Sequence, residues 1–153
     1  MHRDFKELLS TLNGEGVRYL IVGGYAVSLH AQPRATKDLD IFIKPDPANA
    51  DALFRALARF GAPLEGLTPV DFAVPGSFFR MGRPPVMVDI LPEIDGVDFD
   101  SAWSRRVMET IDVKTGLQAA FIAADDLIAA KLATGRLQDL ADVEALRSAA
   151  GED

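Results

Sequence analysis

Phe5, Leu8, Leu9 and Leu12 fall three and four residues apart, which predicts an amphipathic helix over Asp4–Leu12. Asn13-Gly14 and Gly16 end it. Val17–Val22, apolar apart from Arg18, then reads as a buried strand. Gly23-Gly24 interrupts it, and Tyr25–His30 opens a short helix. Leu39–Ile43 is a second apolar strand, running straight out of two aspartates. Asp46-Pro47 is a helix start, a capping carboxylate followed by proline at the first helical position. Leu53, Leu57 and Phe60 line one face of that helix until Gly61 stops it. Val70–Val74 and Phe78–Met81 read as strands, with Phe78-Phe79-Arg80 in the sheet core. Val86–Leu91 is a strand with an aspartate inside it. Ser101–Val107 reads as a helix carrying Trp103. Glu109–Val113 and Ala119–Ile122 bracket Lys114-Thr115-Gly116 as a hairpin. Helices over Asp125–Thr134 and from Leu137 to about Ser148 close the chain. This alternation predicts an α/β (α+β) fold, a mixed sheet flanked by helices. Without repeats or a linker, one domain is expected over 1–153, with a C-terminal helical hairpin over 123–150.

Composition narrows the chemistry. The 153 residues contain no cysteine, which excludes disulfides, thiolate zinc sites and cysteine nucleophiles and fits a reducing compartment. The opening Met1-His2-Arg3-Asp4 leads into a charged helix rather than an apolar leader, and no apolar stretch is long enough to span a bilayer. A soluble cytoplasmic protein without membrane association is expected. The net charge of −7 argues against the broad basic surface of a non-specific nucleic-acid binder. It also leaves carboxylates in excess, some of which could hold a cation.

Asp38-Leu39-Asp40 is the first chemical signal. The pattern alone says little, because it recurs at Asp98-Phe99-Asp100, where a cap before a helix accounts for it. Asp38 and Asp40, however, open an apolar strand, and residues two apart on a strand point to the same side. Two carboxylates about 5 Å apart repel by about 3 kcal/mol at an effective dielectric of 20. A cation between them removes that cost, and an all-oxygen set without nearby cysteine or histidine suits Mg²⁺ or Mn²⁺. A solvated strand entrance with Asp40 capping a turn is the competing explanation. Asp89, inside Val86–Leu91, is the second signal. A carboxylate in an apolar strand is costly unless paired or metal-bound. It either joins Asp38 and Asp40 around cations or pairs with an arginine such as Arg18 or Arg80. The third is Gly23-Gly24 between strand and helix, where backbone amides and the helix dipole can cradle phosphate. A plain turn would use the same residues.

Val22-Gly23-Gly24-Tyr25-Ala26-Val27, then Arg34-Ala35-Thr36-Lys37-Asp38-Leu39-Asp40-Ile41, then Val88-Asp89-Ile90, together resemble the DNA-polymerase-β-like nucleotidyltransferase superfamily. The likeness is greatest to its small bacterial members, the antibiotic-adenylylating enzymes and the toxins of abortive-infection and toxin–antitoxin systems. The resemblance implies a nucleotidyltransferase fold in which Asp38, Asp40 and Asp89 are catalytic and bind two Mg²⁺ (or Mn²⁺) ions. It implies an NTP substrate whose triphosphate lies on Gly23 and Gly24, and NMP transfer to an acceptor hydroxyl on a small molecule, tRNA or protein. Arg34 and Thr36 precede the carboxylates and are candidates for phosphate contacts, against ordinary surface and pre-strand roles. Nucleic acid enters only as an acceptor. Larger members carry a substantial second domain. Here about sixty residues follow Asp89, so a large acceptor would need a second subunit or an antitoxin-type partner to complete its site. A non-catalytic nucleotide- or partner-binding module on the same fold is the alternative.

On the last two helices, Leu127, Ile128 and Leu132, and Leu140, Val143 and Leu146, form facing apolar stripes. Lys131 and Asp139 fall within them at one level of the hairpin. They are expected either to pair with each other or to let Lys131 reach the nucleotide phosphates, oriented by Asp139. Lys131, Arg136, Asp139 and Asp142 also resemble the tail of the small toxin-like members. His30 is expected to end its helix, Trp103 to be core or interface, and Arg105-Arg106 to be a solvated pair.

Overall fold

A computed structural model of the chain describes residues 1–151. Its six strands are β1 (Tyr19–Val22), β2 (Asp38–Ile43), β3 (Phe79–Arg83), β4 (Val86–Leu91), β5 (Val107–Asp112) and β6 (Leu117–Phe121). They form one mixed sheet in the order β3-β4-β2-β1-β6-β5. β2 runs parallel to β4 and antiparallel to β1, and β1 runs parallel to β6. The outer pairs, β3 with β4 and β5 with β6, are antiparallel. Six helices accompany the sheet: α1 (Arg3–Gly14), α2 (Gly23–His30), α3 (Pro47–Phe60), α4 (Phe99–Ser104), α5 (Ala124–Thr134) and α6 (Leu137–Ala149). The fold is α+β and ends in the expected helical hairpin. Among the described residues no helix is long and apolar enough to cross a membrane.

The helical periodicity of α1 survives intact. Phe5, Leu8, Leu9 and Leu12 are all buried, and α1 packs on α3. α3 starts where Asp46 accepts the Asn49 N–H at 2.7 Å and Pro47 occupies the first turn, and it stops at Gly61 with φ of +95°. Both central strands are buried, β1 along its whole length. On β2, alternation divides the side chains. Leu39, Ile41 and Ile43 are buried on one face, in register with Val88 and Ile90 of β4. Asp38, Asp40 and Phe42 take the other. At the far end of that second face Phe42 packs edge-on against Phe99 of α4, with ring centroids 5.0 Å apart. The near end, where the carboxylates lie, has no such cover.

Several expectations are corrected. Val70–Val74 is not a strand. Pro69–Ala73 forms a 3₁₀ turn, because proline enters its first turn and Asp71 reaches back to accept the Thr68 N–H at 2.7 Å. Phe72 from this turn packs between Phe54 of α3 and Phe79 of β3. Phe78 is 64% exposed and lies outside the core, since β3 begins one residue later. The helix expected over Ser101–Val107 runs over Phe99–Ser104. Asp98 caps it by accepting the Ser101 N–H at 3.0 Å, and Val107 already pairs with Phe121 in the sheet. Leu132 and Leu140 are each 45% exposed, so the hairpin seam is narrower than the two stripes suggested and uses Leu127, Ile128, Val143 and Leu146.

Arg105 and Arg106 are both exposed, as a solvated pair would be, and each also holds a partner. Arg105 makes a two-pronged contact with Asp126 at 3.0 and 2.7 Å, and Arg106 lies 4.0 Å over the Trp103 ring. Trp103 in turn stacks on Phe99. His30 ends α2 as expected, and its Nε2 sits 2.7 Å from the Ile122 carbonyl.

One buried polar side chain ties β1 to β2 at the end away from the carboxylates. Asn49 is 7% exposed. Its Oδ1 accepts the Arg18 N–H at 2.8 Å, and its Nδ2 donates to the carbonyls of Arg18 and Lys44, both at 2.9 Å. Asn49→Ala strands the Arg18 N–H and the Lys44 carbonyl and leaves the Arg18 carbonyl only the longer bond from the Lys44 N–H at 3.4 Å. It is expected to lower the unfolding free energy by about 2 kcal/mol, read as a shift of the urea midpoint at unchanged slope.

Candidate functional site

The three sequence-predicted carboxylates meet on one face of the sheet. Strand register brings Val22, Asp40, Asp89 and Arg80 into one row across β1, β2, β4 and β3. Asp38 lies two residues before Asp40 and shares its face. This row exists because β2 and β4 are parallel and paired Asp40 to Asp89. A slip of one residue would turn Asp89 to the buried face.

Gly23-Gly24 follows β1 directly above the row and begins α2. Gly23 has φ of +68°, and a Cβ there would run into the Asp40 carboxylate. A Cβ on Gly24 would stand 2.8 Å from Thr36 Cγ2. The glycine pair is therefore required by close approach, which lets the first turn of α2 sit against Asp40 and Thr36. Over this end of the sheet opens a cleft of about 420 Å³, lined by Gly24, the loop Arg34–Asp38, Asp40 and Gln138. A second cavity of about 390 Å³, between Phe5, Phe60, Met81 and Val88, lies on the opposite face and includes no member of the row.

Electrostatics in the row are unbalanced. Arg80 Nη1 donates to both oxygens of Asp89, at 3.0 and 2.8 Å, and its Nη2 lies 3.5 Å from Asp38 Oδ2. The pairing with Arg80 rather than Arg18 thus holds for Asp89, while Arg18 lies near Trp103. Asp40 has no such partner. Burial first, then the negative charge and hydrogen bond of Asp89 and the charge of Asp38, push its carboxyl up to about 6. The field of Arg80 offsets this only in part. Among the described residues no three Asp, Glu or His side chains close around one point as a finished metal cage. The donor set still fits a hard divalent ion: it is all oxygen, carries three formal negative charges against one guanidinium, and two of its members, Asp38 and Asp40, line the open cleft.

The remaining candidates divide. Gly24, Arg34 and Thr36 line the cleft. Thr36 Oγ1 donates to the Arg34 carbonyl at 3.3 Å. Arg34 Nη1 is held 2.8 Å from Asp142 of α6, with its side chain 38% exposed. Lys131 does not line the cleft. Its side chain is 13% exposed and is turned into the hairpin, 2.8 Å from Asp142 and 3.7 Å from Asp139. The expected Lys131–Asp139 pair is present, but Asp142 is the closer partner.

Asp142, which the sequence placed only in the tail pattern with Lys131, Arg136 and Asp139, is a hub whose partners the sequence did not reveal. It gathers Arg34, Lys131 and Gln138, the last at 2.9 Å. Burial raises its proton affinity, but the three partners outweigh burial and hold its carboxyl below the ordinary range. Asp139 is held far lower still by Arg136 and Thr134. The four-residue spacing of Gln138 and Asp142 on a helix was the one available signal. The partnership with Arg34 spans 108 residues and left none.

Residues 2–149 match the family described as nucleotidyltransferase of unknown function, DUF6036. The chain belongs to this family. No curated protein matches it. Membership of DUF6036 agrees with the superfamily resemblance and carries a general role in nucleotidyl transfer. In this DUF6036 chain the match covers every strand and helix of the fold, so the carboxylate row and the hairpin fall within the matched region.

The raised carboxyl of Asp40 has a defined sign. A group whose folded pKa exceeds its unfolded value favours the fold below the unfolded value, and that contribution is lost as pH rises through the folded one. In metal-free protein, Asp40→Asn is therefore expected to be the more stable form at pH 7.5, by roughly 1–3 kcal/mol. The difference should close as pH falls from about 6 toward 4. Chemical denaturation of both proteins across that range checks it, and a pH-independent difference would exclude Asp40 as the source.

Proposed function

We propose that this chain transfers an NMP from an NTP to an acceptor hydroxyl, with Asp38, Asp40 and Asp89 as the catalytic and metal-binding carboxylates. The reading rests on one observation above all: Asp40 and Asp89 are in register on parallel strands, with Asp38 on the same face, beneath the turn at Gly23-Gly24. The first turn of α2 has backbone N–H groups without partners inside the helix, suited to the triphosphate. Arg34 and Thr36 on the cleft wall add donors beside it. Bound Mg²⁺ or Mn²⁺ would neutralise phosphate charge and polarise the α-phosphorus. The acceptor oxygen forms a bond to the α-phosphorus, and the bond from that phosphorus to the bridging oxygen breaks. Pyrophosphate leaves with that oxygen, and the hydroxyl proton passes to a carboxylate oxygen of the row. The carboxylates and the glycine turn act by holding and orienting these groups.

A non-catalytic binding module is the second reading. It is favoured by Arg80, which already neutralises part of the row.

Calorimetry with Mg²⁺ and each NTP, followed by labelled-NMP transfer into a cell lysate, separates the two. The expected result is NTP binding that needs Mg²⁺, plus a labelled product. Asp89→Ala is expected to lower product formation by at least about a hundredfold. Binding without transfer favours the module. Transfer that survives in Asp38→Ala and Asp89→Ala would sink the catalytic assignment.

A further inference from the structure

The row contains a cation of its own. Arg80 stands directly across from Asp89 on the edge strand β3, and Asp89 stands across from Asp40. Its guanidinium makes both short contacts to Asp89 and leans on Asp38. These are two of the three carboxylates that the proposed function gives to divalent ions. A guanidinium seated on these oxygens takes up lone pairs that a divalent ion would use, and the two positive charges repel.

Arg80 is also built to leave. Its side chain is 46% exposed, whereas that of Asp89 is 15% exposed. Half-exposed ion pairs are weak because water and salt compete for both partners. The edge position leaves the other side of β3 unpaired within the sheet, with solvent to receive a swung-out side chain. Asp89, by contrast, is fixed between β3 and β2.

The geometry points to Arg80 as an internal competitor of the divalent ion: it holds the carboxylate row together in the empty protein and must be displaced from Asp89 and Asp38 before metal binds. This rests on the reading of the row as a metal site. It makes metal affinity in the free protein weak by construction.

Mn²⁺ titration followed by loss of the free-ion paramagnetic signal tests this on the full chain, without reference to activity. Arg80→Gln is expected to bind Mn²⁺ about tenfold more tightly than the wild type, and Arg80→Lys, a point charge without the fork, to fall between them. Mn²⁺ should also raise the melting temperature of Arg80→Gln more than that of the wild type. Asp40→Asn serves as the control for ions attracted by the general negative charge. Equal or weaker binding by a folded Arg80→Gln overturns the competition and leaves the metal site standing. If Arg80→Gln does not fold, Arg80→Lys decides, and affinity unchanged from wild type overturns the proposal. If neither the wild type nor the Arg80 variants bind more tightly than Asp40→Asn, the metal reading of the row falls, and this inference with it.

Discussion

Three carboxylates crowded onto one face of two parallel strands are the constraint around which the rest of this structure is arranged. Burial first, and then the like charges of Asp89 and Asp38, raise the proton affinity of the Asp40 carboxyl. Arg80 offsets part of that charge from the neighbouring strand. Gly23 has no side chain because Asp40 occupies the space where its Cβ would be. A protein selected only for stability would replace such a row with apolar residues. The proposed function accounts for the row's presence beside the cleft, since that reading calls for negative oxygens able to hold a cation with donors next to them.

The C-terminal hairpin is tied into the same end of the molecule. Asp142, buried on α6, holds Arg34 from the loop that enters β2 and Lys131 from α5. A single carboxylate thus couples the cleft wall to both closing helices. Gln138 of α6 reaches the cleft and the same carboxylate. Lys131 therefore sits one step back from the cleft, where it compensates the charge of the residue that anchors Arg34. The hairpin is more than a lid on the core. It sets where the Arg34–Asp38 loop stands relative to α2.

The opposite end of the sheet is organised by ordinary means. Phe42, Phe99 and Trp103 stack outward from β2, Arg106 covers the indole, and Asn49 satisfies the backbone where β1 begins and β2 ends. Polarity along the Asp38–Asp40–Phe42 face therefore changes within five residues, from half-buried carboxylates to packed aromatics. That gradient leaves one end of the face open to ligands while the other is sealed.

Sequence alone settled whatever depends on local spacing. The apolar periodicity of α1, the cap and proline of α3, the unbroken strand into Gly23-Gly24, and the placing of Asp38 and Asp40 on one side of β2 all follow from neighbours in the chain. So did the family likeness, carried by motifs of a few residues. It misjudged Val70–Val74, where apolar content suggested a strand and Pro69 with the Thr68–Asp71 cap decided for a tight turn. What only the tertiary structure decided is long-range pairing. Whether Asp89 meets Asp40 or an arginine, whether that arginine is Arg18 or Arg80, and whether Lys131 answers to Asp139 or Asp142 depend on strand register and helix packing. The physical reason is that a charge chooses its partner by distance and burial in the folded molecule, and neither is written in the local order of residues.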